Sequence, residues 1–327
     1  MHHLLLVAAL FGQEVRQPMG HLIIVGGGPM VPAISDRALT LAGGKTARVL
    51  IVPQASELRD SGERSEEMWR QAAAHLWPNW RMRVAILDLK NKPLDAIAKA
   101  DLIWMPGGDQ GRLMGVLKSQ GIVAAIQDRF RHGATVGGTS AGAAVMSMAM
   151  LTAESRVDRL IADTNKMADG LGLWPDVIVD QHFLTRCRFT RLLTAVLNHS
   201  EKVGIGIDES TAVVVSGRSF EVIGQSDVVI IDARNTAKLR SRNGEPEAAT
   251  NVALHILRAG MRFHLDRGLL TPIDKGLLTK GLLAQPSMPK ASSGGRAKVV
   301  VPDVGSNHSR ADAAAQTPVL LRSIQPR

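Results

Sequence analysis

His21-Leu22-Ile23-Ile24-Val25-Gly26-Gly27-Gly28 is an unbroken apolar run that ends in three glycines. A strand with one wet face alternates apolar and polar residues. A run without alternation therefore reads as a strand buried on both faces, and the glycines mark a tight loop at its carboxyl end. The same unit recurs along the chain. Arg48 to Val52 closes on Pro53, Val84 to Leu87 follows, and Leu102 to Met105 closes on Pro106-Gly107-Gly108-Asp109. Between these runs lie stretches with helical spacing, near Ala33 to Ala42, Glu63 to Leu76, Gln110 to Leu117 and Val123 to Phe130. Strands alternating with helices of this length predict an α/β fold, with a mostly parallel central sheet covered by helices on both faces. In such sheets the chemistry gathers at the carboxyl ends of the strands, where the glycine-rich loops of this sequence fall.

After Val203 the texture changes to short strands: Val203 to Ile207, Ala212 to Val215, Ser219 to Ile223 and Val228 to Ile231. Val252-Leu254-Ile256 and Met261-Phe263-Leu265 alternate on either side of Arg258-Ala259-Gly260, which predicts a hairpin. These strands are expected as an antiparallel extension of the same sheet, within one domain over 21–267. Beyond Arg267 the periodicity stops, and a basic, poorly ordered tail is expected over 268–327. At the other end, residues 1–20 hold the short apolar run Leu4 to Phe11, which has signal-peptide length, with Gly12 as a tolerable cleavage residue. Two histidines stand where a basic segment belongs, so an exported chain and a cytoplasmic one with an apolar lead-in both stay open. No stretch approaches the length needed to span a bilayer.

Hydrophobic residues make up 45% of the 327, and charged ones 21%, which matches an ordinary globular protein. The single cysteine, Cys187, excludes an internal disulfide framework and a Cys-based zinc cluster, and reads as a buried or half-buried thiol. The net charge of +9 invites a nucleic-acid reading. However, the segment from Asp266 onward holds nine Lys and Arg against four Asp, about half of that excess. The remainder lacks a Lys/Arg stripe interleaved with aromatics, and the chain has no Tyr, which argues against nucleic acid.

Gly137-Gly138-Thr139-Ser140-Ala141-Gly142-Ala143-Ala144 carries the strongest chemical signal. Thr135-Val136 before it are strand-like, and Ala143 to Met148 after it are helix-like. Gly138-x-Ser140-x-Gly142 fits a nucleophile elbow, in which a sharp turn lifts a serine off the end of a strand. Backbone N–H groups at the start of the following helix suit an oxyanion. The bland alternative is a glycine-rich turn with a capping serine.

A serine nucleophile needs a base, and the base needs an orienting acid. Among 10 histidines, His182 alone follows an apolar strand end, Val177-Ile178-Val179-Asp180, and Gln181. Glu209, in Gly206-Ile207-Asp208-Glu209-Ser210, also follows a strand. Asp158 is a second candidate acid, and spacing does not choose between the two.

Three ordered segments resemble the signature segments of cyanophycinases. They are Gly137 to Met146, Asp180-Gln181-His182-Phe183, and Gly204-Ile205-Gly206-Ile207-Asp208-Glu209. Gly107-Gly108-Asp109-Gln110 and Leu257-Arg258-Ala259-Gly260 fit as well, so the resemblance spans about 21–267. Cyanophycinases belong to the serine peptidase family that includes the aspartyl dipeptidase peptidase E. The resemblance implies a fold like class I glutamine amidotransferases and a Ser140-His182-Glu209 triad. It also implies oxyanion donors at the backbone N–H groups of Gly108 and Ala141, no cofactor or metal, and a homodimer.

The substrate it implies is cyanophycin, a poly-aspartate backbone with arginine on each β-carboxyl, cut to β-Asp-Arg dipeptides. Each unit presents an α-carboxylate and a guanidinium. Arg188 and Arg191, three apart on an expected helix, would clamp the carboxylate, and Asp180 or another acid would receive the guanidinium. Gln110 and Gln181 would add neutral contacts. Without the resemblance, Arg186, Arg188 and Arg191 read as a solvated helix face. Two alternatives accompany this function: a peptidase of the same family for small Asp-containing or isoaspartyl peptides, and a non-catalytic module that holds an acidic polymer.

Overall fold

The computed structural model describes residues 20–152, 160–161, 165–239 and 248–269. All of them belong to the unit Met1–Pro272. The expectations for the Leu4 to Phe11 run, for Asp158 and for the tail past residue 269 lie outside the described residues.

Five parallel strands form one half of the main sheet: β1 (Leu22–Val25), β2 (Arg48–Ile51), β3 (Arg83–Ile86), β4 (Leu102–Met105) and β5 (Thr135–Thr139), in spatial order β1-β5-β4-β2-β3. All four residues of β1 are at most 1% exposed, so each side chain contributes roughly 1.5–3 kcal/mol by leaving water. Its alternation sorts them to opposite faces. Ile23 and Val25 pack with Ile34 and Leu39 of α1 (Pro32–Leu41) and Trp69 of α2 (Ser61–Leu76). Leu22 and Ile24 pack with Ile97 of α3 (Pro93–Lys99), Leu113 of α4 (Gln110–Ser119) and Ile126 of α5 (Val123–Arg131). The three-layer α/β/α arrangement follows from this sorting. β3, at the sheet edge, has no fully buried residue, as an edge strand permits.

Beyond β5 the chain forms α6 (Ala141–Ala144) and the paired strands β6 (Ala149–Leu151) and β7 (Met167–Asp169). Then come β8 (Val177–Gln181), α7 (Phe189–Asn198), β9 (Val203–Ile207), β10 (Thr211–Ser216), β11 (Ser219–Gly224) and β12 (Val228–Asp232). The paired strands β13 (Ala237–Leu239) and β14 (Ala248–Thr250) precede β15 (Ala253–Leu257), β16 (Arg262–His264) and β17 (Gly268–Leu269).

β10 pairs antiparallel with β1, and β11, β16 and β17 continue outward, so the expected antiparallel extension is present. Two expectations are corrected. β8, β9, β12 and β15 do not join that sheet; they form a four-stranded sheet of their own. The hairpin around Arg258-Ala259-Gly260 is absent, because β15 pairs with β12 while β16 pairs with β11. Gly260 N–H donates to the Val222 carbonyl and Val222 N–H to the Met261 carbonyl, so the turn hands the chain from one sheet to the other. Among the described residues no helix is long and apolar enough to cross a membrane.

Candidate active site

Ser140 follows the last residue of β5 with φ 53° and ψ −109°. These are the dihedrals of the first central residue of a type II′ turn, a region left mostly to glycine. The surroundings over-determine them. Ser140 N–H donates to the Val25 carbonyl at 3.1 Å, and the Ser140 carbonyl accepts from the N–H groups of Ala143 and Ala144 at 3.0 Å each. Gly142 lets α6 lie against the end of β4, since a Cβ there would stand 1.9 Å from the Met105 carbonyl oxygen. The helix expected over Ala143 to Met148 stops after one turn. The carbonyls of Val145, Met146 and Ser147 accept instead from the N–H groups of Leu171, Trp174 and Gly172, so tertiary partners replace helical ones.

His182 and Glu209 reach Ser140 from the second sheet, just past the carboxyl ends of β8 and β9. Both are docked on the glycine loop that ends β1. His182 N–H donates to the Gly26 carbonyl at 2.6 Å, and Ser210 N–H to the Gly27 carbonyl at 2.8 Å. Gly27 has φ 119°, and a Cβ on it would lie 2.2 Å from Cε1 of His182. The imidazole therefore occupies space that any other residue would fill.

His182 Nε2 stands 2.9 Å from Ser140 Oγ, and His182 Nδ1 stands 2.6 Å from Glu209 Oε1. A carboxylate only accepts, so Nδ1 carries the proton and Nε2 is left to accept from the serine hydroxyl. Among the described residues, Glu209 is the acid that the fold brings to His182. Next to it, burial would raise the pKa of Asp208. The N–H and hydroxyl of Thr185 and the hydroxyl of Ser226 outweigh that and hold its carboxyl below the ordinary value.

Ser140 opens on a cleft of about 450 Å³. Gly108, Asp109 and Gln110 line it from the loop after β4, Thr152 from the end of β6, and Gln181, Arg186, Arg188 and Arg191 from the segment after β8. Gly108 lines the cleft beside Ser140, and Ala141 follows the serine in the buried first turn of α6. Gln110 Nε2 donates to the Leu151 carbonyl at 2.8 Å. Gln181 Oε1 is buried and accepts no hydrogen bond among the described residues.

Asp180 is fully buried and holds Arg191 through both carboxylate oxygens, with Nε at 2.9 Å from Oδ2. Arg188 Nη1 lies 3.6 Å from the same carboxylate and donates to the Gln181 carbonyl at 2.7 Å. The expectation that Asp180 receives a ligand guanidinium is thus corrected: its oxygens serve the cleft arginines. Arg188 caps α7 rather than lying within it, and only Arg191 is on the helix.

Neither arginine belongs to a solvated face, since each is 2% exposed. Arg186, read from the residues alone as solvated, lines the cleft with them. Its position in the Arg186-x-Arg188 pair was the available signal, and Asp109 stood in the Gly107-Gly108-Asp109-Gln110 segment, whereas Thr152 carried none. Cys187 is exposed rather than buried.

The model of peptidase family S51 matches residues 22–223. A cyanophycinase of Geminocystis herdmanii is 39% identical over 237 residues, which covers 72% of this chain and 86% of that one. Peptidase E of Salmonella arizonae is 37% identical over 91 residues, 28% of this chain and 38% of its own length. Among solved structures, a peptidase from an acI-B1 Actinobacterium superposes with a TM-score of 0.54 at 23% identity, over 76% of this chain and 98% of that one, a likeness of fold. With the family match spanning both strand ends that carry the hydrogen-bonded serine and histidine, the chain belongs to peptidase family S51 and is a serine-type peptidase.

Proposed function

We propose that the chain is an exopeptidase that degrades cyanophycin to β-Asp-Arg dipeptides through a Ser140-His182-Glu209 triad. One observation carries the reading: the hydrogen-bonded chain of serine, histidine and glutamate opens on a cleft walled by Arg186, Arg188 and Arg191. The 39% identity to a cyanophycinase supports the substrate.

Ser140 Oγ attacks the backbone carbonyl carbon of the polymer, and its proton passes to His182 Nε2. Glu209, accepting from Nδ1–H, holds the ring and stabilises the imidazolium. The oxyanion is received by the N–H groups of Gly108 and Ala141, where removal of one such donor typically costs about 10²–10³ in rate. His182 then gives its proton to the leaving amine, the C–N bond breaks, and water releases the acyl-enzyme with the same base. The arginine wall suits the α-carboxylate of the arginyl branch, because guanidinium groups bind carboxylates by paired hydrogen bonds. Gln110 and the buried oxygen of Gln181, which has no partner among the described residues, suit N–H groups of the same unit.

Purified protein incubated with cyanophycin beside Ser140→Ala, with β-Asp-Arg followed by mass spectrometry, tests the proposal. Serine-dependent release is expected. The stretch shared with peptidase E favours one second reading, a peptidase for small Asp-containing or isoaspartyl peptides. Serine-dependent cleavage of such peptides beside intact polymer would point there. Retention of the polymer without hydrolysis would point to a binding module. The homodimer of the family resemblance is tested by sedimentation velocity.

A further inference from the structure

Residues 182–188 form one continuous turn. Arg186 N–H donates to the His182 carbonyl at 2.9 Å, Cys187 N–H to that of Leu184 at 3.0 Å, and Arg188 N–H to that of Phe183 at 2.9 Å. The turn carries the base at one end and two cleft arginines at the other. Any displacement of it therefore moves both.

Two pegs fix it to β9 and the residues beyond. The apolar peg is Phe183, whose ring lies where a Cβ on Gly206 would stand, 2.4 Å from its Cγ. The polar peg is Asp208. Its Oδ1 accepts from Leu184 N–H at 3.1 Å, from Thr185 N–H at 2.9 Å and from the Thr185 hydroxyl at 2.9 Å. Its Oδ2 accepts from the Ser226 hydroxyl at 2.9 Å, which ties the same carboxylate to the loop before β12. Asp208 is only 7% exposed, and it does not line the cleft. A carboxylate that receives four donors in so closed a setting is oriented by all of them at once.

We propose that Asp208 is a positioning residue, which holds the 182–188 turn as one piece and so sets the base and the cleft arginines together. This rests on the reading of Ser140 as the nucleophile and His182 as its base. The role belongs to accepting oxygens rather than to charge. An asparagine keeps an accepting oxygen toward the turn and offers an N–H to Ser226, so it restores the peg, whereas alanine removes it.

The test uses the full chain and two readouts. A fluorophosphonate probe labels Ser140, its oxygen bonding to phosphorus as fluoride leaves and the hydroxyl proton passes to His182. That rate reports the nucleophile and base without reference to any peptide substrate. Release of β-Asp-Arg from cyanophycin gives kcat and KM.

Asp208→Ala is expected to slow labelling by about 10- to 100-fold, the scale of misplacing a reacting group by an ångström, and to raise KM as well. Asp208→Asn is expected to return both to near the wild-type values. A role in general stability alone would change the melting temperature and leave KM unmoved. Asp208→Asn as slow as Asp208→Ala while folded, or Asp208→Ala labelled at the wild-type rate, overturns the proposal. If Asp208→Ala fails to fold, Thr185→Ala combined with Ser226→Ala decides, and an unchanged labelling rate in that variant overturns it too. A wild-type chain that the probe leaves untouched overturns the nucleophile reading beneath it, a distinct failure.

Discussion

Ser140 keeps a backbone conformation that costs a non-glycine residue roughly 1–3 kcal/mol, and the Ser140-x-Gly142 turn holds it there. Ser140→Ala should abolish hydrolysis and keep the melting temperature, because alanine has the same strain. Ser140→Gly should be equally inactive yet melt higher than Ser140→Ala, which differential scanning calorimetry reads directly. Gly27→Ala tests the other partner of the site. A methyl group 2.2 Å from the His182 ring must push the base away, so turnover should fall by about 100-fold or more. At this scale the sequence was informative because elbow and strand-end motifs are local. Ser140 and His182 follow from their flanking residues, while the placement of Glu209 beside His182 depends on β8 pairing with β9, which no spacing records.

The segment from β8 to α7 shows what one element asks of another. Asp180 ends no helix and faces no solvent; it anchors Arg191 in the first turn of α7. Replacing Arg191 by alanine would leave a buried carboxylate short of its main partner, at a cost of roughly 3–5 kcal/mol in urea unfolding. The parallel strands were legible because burial on both faces leaves unbroken apolar runs. Two elements were not. The alanine-rich run after Ser140 has helical propensity, but the carbonyls of Val145 to Ser147 find partners in residues 171–174. β15 and β16 alternate as a hairpin would, yet period-2 patterning says that a strand has two faces and not which neighbour it takes.

Across the whole molecule, two sheets must stay docked for the site to exist, and a cluster of ions joins them at the strand ends opposite the site. Arg218, in the turn between β10 and β11, pairs with Asp266 and with Asp176 just before β8. Arg234, just past β12, pairs with Asp232 and Asp266. Hydrogen bonding from Arg218, joined by Arg234, lowers the Asp266 pKa from its ordinary 3.8 to about 2. A carboxyl whose folded value is depressed stabilises the fold above the ordinary value, and that stabilisation is lost as pH falls toward the folded one. Urea unfolding at pH 5 and pH 2.5 should therefore show a larger loss for the wild type than for Asp266→Asn, and the difference should be modest because the group is half exposed.

The docking of His182 and Glu209 on the loop after β1 also imposes an order in time. During synthesis Ser140 is made 42 residues ahead of His182, and His182 27 residues ahead of Glu209. At roughly 5–20 residues per second those intervals last seconds. β1 and β5 are both complete early, so the elbow has its neighbours while the base and acid are still unmade. The growing chain thus carries a serine with nothing to activate it until the base and the acid have followed.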